Sequence, residues 1–218
     1  MIDFHTHSLW SDGELLPTEL ARRAEYLGYK ALAITDHGDF SNLDVIIPRL
    51  CIVCQKLKDS LNIKVIPGIE LTHLPPNDIA HAAKEAKLLG AKIVVVHGET
   101  IVEPVIPGTN RKALESEIDI LAHPGLITGD DTKLAKERGI YLELTTRKGH
   151  SLTNGHVAQM AIKHGARLIL NTDSHSPSDL IDSSIAKRIA RGAGLSEKEF
   201  PSLLKNAREL LRRVLFRG

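Results

Sequence analysis

Short apolar segments, most of them followed by a histidine or a carboxylate, recur along this chain and restrict its fold. Seven have the composition of strands and alternate with helical stretches: residues 1–4, 31–35, 64–70, 92–96, 118–122, 140–145 and 167–171. Their nearly continuous apolar character is what a parallel sheet buried on both faces requires. Glycines close four of the helices shortly before the next strand, at Gly28, Gly90, Gly139 and Gly165. The sequence therefore predicts an α/β fold built from repeated βα units.

The first helix is expected at residues 17–27, and the second is expected to start at about Pro48. Later helices are expected at 75–89, 131–138, 155–164, 184–191 and 197–216. Proline inside a helix removes a hydrogen bond, so the second helix should begin near Pro48. The outer face of the last helix is rich in arginine and lysine and is interpreted as solvated. Residues 98–109 form the longest irregular stretch and could cover a substrate.

Composition predicts one soluble domain over residues 1–218 with a sizeable core, since 42% of residues are hydrophobic and 25% charged. No apolar run approaches the ~20 residues needed to cross a membrane. A net charge of +1 gives no field to attract nucleic acid or an anionic membrane, so a small substrate fits better. The first strand begins at Ile2 and leaves no room for a cleaved leader, so a cytoplasmic location is expected.

The side chains at the strand ends predict a metal site. His5 and His7 come first and Asp12 follows them. His37, Glu70, His97, His123, Asp173 and His175 each lie at the end of a later apolar run. The carboxyl ends of barrel strands converge on one mouth, and nitrogen and oxygen ligands from separate strands can assemble a multinuclear site there. Packing alone does not explain so many histidines at strand ends, so the pattern indicates a metallohydrolase.

Several other residues have two interpretations. Arg147 and Lys148 follow the sixth strand and either bind a phosphate or belong to a solvated loop, and Arg111 is a weaker phosphate candidate. Asp36 either orients a ligand imidazole or caps a turn. His73 and His156 could touch substrate, whereas His81 and His164 are expected at the surface. Cys51 and Cys54 are interpreted as small residues on a helix rather than a zinc or redox pair.

Taken together, the ordered motifs resemble those of the PHP family, the polymerase and histidinol phosphatase superfamily. The motifs are His5-Thr6-His7 with Ser11-Asp12-Gly13, Ile34-Thr35-Asp36-His37, Gly68-Ile69-Glu70, Val96-His97-Gly98, Ala122-His123-Pro124 and Thr172-Asp173-Ser174-His175. The resemblance covers residues 1 to about 176. It implies a distorted TIM-like barrel of seven βα units that holds up to three divalent ions.

The family's ligands carry over motif by motif. One ion would be bound by His5, His7, Glu70 and Asp173. A second would be bound by Glu70, His97 and His123, and a third by Asp12, His37 and His175. Family members have histidine or aspartate at the position of Asp12, so the set is complete. Imidazole-rich sites suit zinc, with manganese or iron as alternatives.

Three functions follow from this interpretation. The first is a stand-alone phosphoesterase that hydrolyses a small phosphomonoester, of the histidinol phosphatase type, with a metal-activated water. The second is a PHP-type nuclease or phosphodiesterase, which would normally accompany a polymerase module or a basic groove. The third is a non-catalytic, RNA-associated barrel, against which the complete ligand set and the near-neutral charge count. The substrate and the oligomeric state are not fixed by the sequence.

Overall fold

Seven parallel strands form a nearly closed barrel in the computed structural model, which describes residues 1–216. Their order around the barrel is β1, β2, β4, β5, β6, β7, β8, and the short β3 pairs with β4. The strands are β1 (Ile2–Asp3), β2 (Ala31–Ile34), β3 (His37–Gly38), β4 (Lys64–Leu71), β5 (Ile93–His97), β6 (Ile120–Ala122), β7 (Tyr141–Thr145) and β8 (Arg167–Asn171). This architecture confirms the α/β barrel that the sequence predicts.

The barrel closes through the residues that follow β1 and β8. Thr6 and Ser174 form a parallel bridge, the His7 amide donates to the Ser174 carbonyl at 2.8 Å, and the Asp173 amide donates to the His5 carbonyl at 2.8 Å. The first and last of the predicted metal-ligand motifs are thus joined by backbone hydrogen bonds.

Within residues 1–216, eight α-helices surround or cap the strands: α1 (Pro17–Tyr26), α2 (Leu43–Leu57), α3 (Ile79–Leu88), α4 (Thr109–Glu115), α5 (Gly129–Arg138), α6 (Asn154–His164), α7 (Ser183–Gly192) and α8 (Phe200–Leu215). Most of the predicted helix bounds agree with these to within a few residues. The four glycines that follow helices all have φ between +65° and +112°, which confirms their role as left-handed helix ends.

Strand alternation separates two apolar cores. One face of each strand packs against the helices, as do Leu32, Val94 and Leu142. The opposite face fills the barrel interior, where side chains such as Val95 meet Leu210 from α8. Since α8 contributes to this inner core and also contacts β1 and β8, it closes the barrel end opposite the predicted site.

One prediction about an element was wrong, and two short elements were not predicted. The second helix begins at Leu43 and contains Pro48, because burying Ile46 and Ile47 contributes ~1.5–3 kcal/mol each and outweighs the ~3 kcal/mol that an interior proline costs. The elements β3 and α4 were not predicted, since each is too short to produce a periodic pattern. The strand β3 matters for the site because it pairs His37 with Glu70.

The cysteines lie where the sequence places them. Cys51 and Cys54 are free thiols on α2, and Cys54 is buried in the core. Over residues 1–216, no helix is both long enough and apolar enough to span a membrane.

Candidate metal centre

The carboxyl ends of the strands surround a cavity of about 340 Å³ whose wall carries most of the predicted metal ligands. Its lining residues are Asp12, His37, Thr72, His73, His97, Glu103, His123, Arg147, His150, Asp173 and His175. His5, His7 and Glu70 are fully or almost fully buried directly beneath it. The structure therefore brings all nine predicted ligands together at one mouth.

Asp3 fixes the position of the first motif. Its buried carboxylate accepts hydrogen bonds from the Thr172 hydroxyl at 2.6 Å, from the Thr172 amide at 3.2 Å and from the His5 amide at 3.2 Å. Burial raises the pKa of Asp3 to about 6. These bonds tie the end of β1 to the end of β8, which sets His5 opposite Asp173.

Gly13 explains the small residue in the Ser-Asp-Gly motif. A Cβ atom at this position would collide with the carbonyl oxygen of His7. The absence of a side chain lets the turn that carries Asp12 fold back against the histidine strand. Asp36 braces the same turn by accepting hydrogen bonds from the Ser8 amide and hydroxyl at 2.7 Å and the Ser11 hydroxyl at 2.8 Å. Its partners are therefore the turn residues rather than the imidazole considered from the sequence.

The deepest donor atoms face one another at short range. The Nε2 atom of His5 lies 3.3 Å from Glu70 Oε1, and the Nε2 atom of His123 lies 3.5 Å from the same oxygen. The Nε2 atom of His7 lies 3.3 Å from Asp173 Oδ1. Glu70 thus stands between two histidines from different strands, as a carboxylate that bridges two cations would.

A second donor group lies nearer the solvent. Asp12 Oδ1 is 3.2 Å from His175 Nε2 and 3.5 Å from His37 Nε2. His7 joins this group as well as the deep one, since its donor atom falls within the same 4.8 Å cluster. The sequence motifs assign His7 to the first ion alone, whereas the geometry leaves it between two.

Several of the donor atoms are buried without a hydrogen-bond partner among the described residues: His5 Nε2, both ring nitrogens of His7, Glu70 Oε1 and His123 Nδ1. A buried polar atom without a partner costs ~1–3 kcal/mol, and native proteins hold few of them. Their concentration around one point is what a site for cations requires. The donor set, imidazole nitrogen with carboxylate oxygen, fits zinc, manganese or iron.

The other ring nitrogen of several predicted ligands is held by an acceptor. The Nδ1 atom of His5 lies 2.8 Å from Glu143, that of His97 lies 3.2 Å from the Gly98 carbonyl, and that of His175 lies 3.0 Å from the Asp173 carbonyl. Carboxylates and carbonyls only accept, so Nδ1 carries a proton, and in the neutral ring Nε2 presents a lone pair to the mouth. This is the tautomer that a metal ligand needs.

Burial and charge shift the ionisation of the deep residues. Burial disfavours the charged form of His5, yet the carboxylates of Glu143 and Glu70 raise its pKa well above the ordinary value. Burial opposes ionisation of Glu70 as well, but the imidazoles of His5 and His37 hold its pKa well below the ordinary value. Burial raises the pKa of Asp173 well above its usual range. The carboxylates of this site thus need positive charge close by.

The three candidate phosphate-binding residues lie in different surroundings in the structure. Arg147 is half-buried in the cavity wall, with its Nε atom 3.9 Å from Asp173 Oδ2. Lys148 is exposed and does not line the cavity. Arg111 forms an ion pair with Asp131 at 2.8 Å.

The four histidines that were considered outside the ligand set also lie in different surroundings. His73 lines the cavity, whereas His156 has its ring 2.8 Å from the Ile127 carbonyl and lies outside the lining. His81 is exposed, as expected, and His164 is only partly so.

Sequence reasoning missed several residues of the site, among them Glu143, Glu103 and His150. Glu143 points into the barrel and contacts His5; a charged residue within an apolar strand was the available signal. Glu103 lies in the irregular stretch that was expected to cover the substrate, and His150 follows the arginine-lysine pair. Glu103 and His150 interact across 3.3 Å at the mouth, a pairing that no local pattern encodes.

Sequence comparison matches residues 3–163 to the PHP domain. An uncharacterized protein of Methanocaldococcus jannaschii is 52% identical over 97% of this chain and 99% of its own length. A probable phosphatase of Acetivibrio thermocellus is 28% identical over 80% of this chain and 79% of its own. The protein component 3 of ribonuclease P from Methanosarcina barkeri is 27% identical over 90% of this chain and 82% of its own.

Solved structures share the fold. An archaeal ribonuclease P structure with mature tRNA contains a chain that superposes with a TM-score of 0.75 at 15% identity, over 99% of this chain and 93% of that one. Histidinol phosphate phosphatase from Lactococcus lactis, in complex with zinc, L-histidinol and phosphate, superposes with a TM-score of 0.60 at 17% identity, over 88% and 91%. At these identities the likeness is one of fold.

Proposed function

The chain belongs to the PHP family, and from that premise we propose that it is a metal-dependent phosphoesterase that hydrolyses a small phosphomonoester. The observation that carries the proposal is the group of buried imidazole and carboxylate atoms without hydrogen-bond partners. A barrel that had lost its metals in evolution would be expected to replace or pair such atoms, because leaving them unpaired costs stability. Here the whole donor set remains.

We assign the donor groups to three divalent ions. His5, His7, Glu70 and Asp173 would hold the first, Glu70, His97 and His123 the second, and Asp12, His37 and His175 the third. The short distances between donors of the first and third ions, and between Glu70 and His123 of the second, support the assignment. The donor atom of His97 lies within 4.8 Å of those of His123 and His150. Zinc suits the number of imidazoles best, with manganese or iron as alternatives. Bound ions would lower the pKa of a water molecule toward ~7 and offset the charge of a phosphoryl group.

The chain's own residues would orient the substrate. Arg147 stands at the rim beside Asp173 with its guanidinium half-buried, where it can donate two hydrogen bonds to the outer oxygens of a phosphate. Glu143 keeps the proton of His5 on Nδ1 and thereby keeps Nε2 directed at the mouth. A cavity of about 340 Å³ suits a small molecule better than a polymer.

Replacing Arg147 with alanine should raise KM about tenfold or more, because a charge-assisted hydrogen bond contributes ~1.5–3 kcal/mol. Steady-state kinetics on an aryl phosphate measure this change, and elemental analysis should give the same metal content as for the unmodified protein. Arg191→Ala, which removes an exposed arginine on α7, is the matched control. A KM that stays unchanged in Arg147→Ala would remove Arg147 from the phosphate site.

A substrate comparison tests the function itself. The metal-supplemented protein should hydrolyse an aryl phosphate, and some members of a panel of phosphorylated metabolites, far faster than it releases nucleotides from single-stranded DNA. Glu70→Gln purified in parallel controls for contaminating phosphatases. Rapid nucleotide release with negligible hydrolysis of the aryl phosphate would instead support the nuclease.

A role in an RNA-containing assembly is the second candidate, and the likeness to ribonuclease P component 3 favours it. Against it, several cations of the two C-terminal helices pair with acidic neighbours, as Lys187 does with Glu197 at 2.8 Å and Lys205 with Glu209 at 3.7 Å. Filter binding with a structured RNA at physiological salt should detect no specific complex. Tight binding that depends steeply on salt would favour this candidate.

A further inference from the structure

A carboxylate from the irregular segment at residues 98–108 enters the mouth of the metal centre. Glu103 Oε2 lies 3.0 Å from His97 Nε2 and 3.3 Å from His73 Nε2, and Glu103 Oε1 lies 3.3 Å from His150 Nε2. Glu103, His73 and His150 all lie outside the set of ligands that the PHP motifs assign. One acidic side chain thus gathers three imidazoles, each from a different part of the chain.

The contact with His97 needs a proton or a metal ion between its two atoms. The Nδ1 atom of His97 lies 3.2 Å from the Gly98 carbonyl, and in the neutral tautomer that donates this hydrogen bond Nε2 presents a lone pair toward Glu103. A lone pair and a carboxylate oxygen at 3.0 Å repel each other unless a proton or a metal ion stands between them. Two ligands bound at 2.0–2.1 Å to a tetrahedral zinc lie about 3.3 Å apart, close to the separations found here.

The second ion has room for such a ligand. Glu70, His97 and His123 supply three donors, whereas zinc takes four or more. We propose that Glu103 is an additional, exchangeable ligand of this ion, with His73 and His150 as positioning residues that hold its carboxylate. The inference rests on the proposed metal centre.

The supports of the segment are independent of Glu103. Glu99 accepts hydrogen bonds from the Gly108 amide at 3.0 Å and the Asn110 amide at 2.8 Å, which closes the segment at its base. The hydroxyl of Thr100 contacts His150 Nδ1 at 2.8 Å and leaves the Nε2 atom for Glu103. A change at Glu103 should therefore leave the path of the backbone intact.

The backbone at His73 resembles that of two proposed ligands. Within residues 1–216, the non-glycine residues with positive φ are His73 (+53°), His123 (+26°) and Asp173 (+53°). Such conformations cost ~1–3 kcal/mol and cluster at functional sites. His73 thus shares this feature with two residues of the metal centre, in agreement with a role there.

The position of Glu103 also suits a ligand that can be exchanged for water or substrate. Its side chain is 36% exposed and comes from an irregular segment, whereas Glu70 is fully buried on a strand. A catalytic metal site keeps one position available for water or substrate. A carboxylate that occupies this position in the resting protein would yield it to a phosphate oxygen.

Zinc titration of the metal-free protein against a chromogenic chelator tests the proposal without reference to activity. Glu103→Gln should weaken one class of zinc sites about tenfold or more and leave the others unchanged. Glu103→Asp keeps the charge but shortens the reach, so its affinity should fall as well. Glu117→Gln, which removes an exposed carboxylate that pairs only with Lys87 among the described residues, should match the unmodified protein.

Cobalt(II) substitution gives a second measurement. The visible absorption bands of cobalt depend on its coordination, so Glu103→Gln should change the spectrum and Glu117→Gln should not. Unchanged or tighter zinc binding by Glu103→Gln, or an affinity of Glu103→Asp equal to that of the unmodified protein, would overturn the proposal. An unmodified protein that binds no zinc, manganese or iron would overturn the metal centre as well, so the two failures are distinguishable.

Discussion

Replacing Glu70 with glutamine should reduce kcat/KM by about a thousandfold or more. Glu70 is fully buried, and its Oε1 atom stands between His5 and His123. The amide would place a donor where the two proposed ions would need negative charge. Losing ~4 kcal/mol of stabilisation of the developing charge corresponds to about this factor. Kinetics on an aryl phosphate at saturating metal measure it.

His156→Ala is the control for Glu70→Gln. Its ring contacts the Ile127 carbonyl and lies outside the cavity, so activity should stay within a few-fold of the unmodified protein. Circular dichroism must give the same helix content for both variants. Equal losses of activity in the two would mean that Glu70 does not bridge ions.

Glu143→Gln should have the second-largest effect, because Glu143 serves three donors at once. Its Oε1 atom accepts from His5 Nδ1 and from Asn171 Nδ2, each at 2.8 Å, and Oε2 accepts from the His123 amide at 3.2 Å. Glutamine keeps one acceptor but turns an NH₂ group toward a donor. Residues that orient metal ligands typically contribute 10–100-fold to metal affinity, so zinc binding and kcat/KM should both fall by about this much.

Thermal unfolding separates this effect from a loss of fold. The metal-free Glu143→Gln protein should still unfold cooperatively, with a stability reduced by ~1–3 kcal/mol for the unpaired buried groups. The matched control is Glu209→Gln, at a partly exposed carboxylate on α8. Zinc affinity in Glu143→Gln equal to that of this control would show that Glu143 does not position His5.

The fold was predictable because buried parallel strands and helix-ending glycines are local signals. The runs at Ile93 and Leu168 and the left-handed Gly139 and Gly165 are read directly from the residues. The helix start at Leu43 was not predictable in this way, because tertiary burial overrides the local effect of Pro48. The two-residue strand β3 was likewise invisible, since its pairing with β4 is a long-range contact.

The residues of the site also differ in whether a local sequence signal predicts them. Ligands at strand ends follow from the barrel topology, which carries His97 and His123 to one mouth although they lie on different strands. Glu143 and Glu103 act on histidines distant in sequence, and their roles depend on which face of β7 is inward and on the path of one irregular segment. Neither property has a periodic signature.

The central claim is that the clustered histidines and carboxylates hold catalytic ions. Elemental analysis of the purified protein after metal supplementation, paired with a phosphatase assay before and after chelation, tests it most directly. We expect two or three zinc, manganese or iron ions per chain, hydrolysis that disappears when a chelator removes them, and recovery when they are returned. Fewer than one ion per chain after full supplementation, or hydrolysis that persists without metal, would contradict the claim.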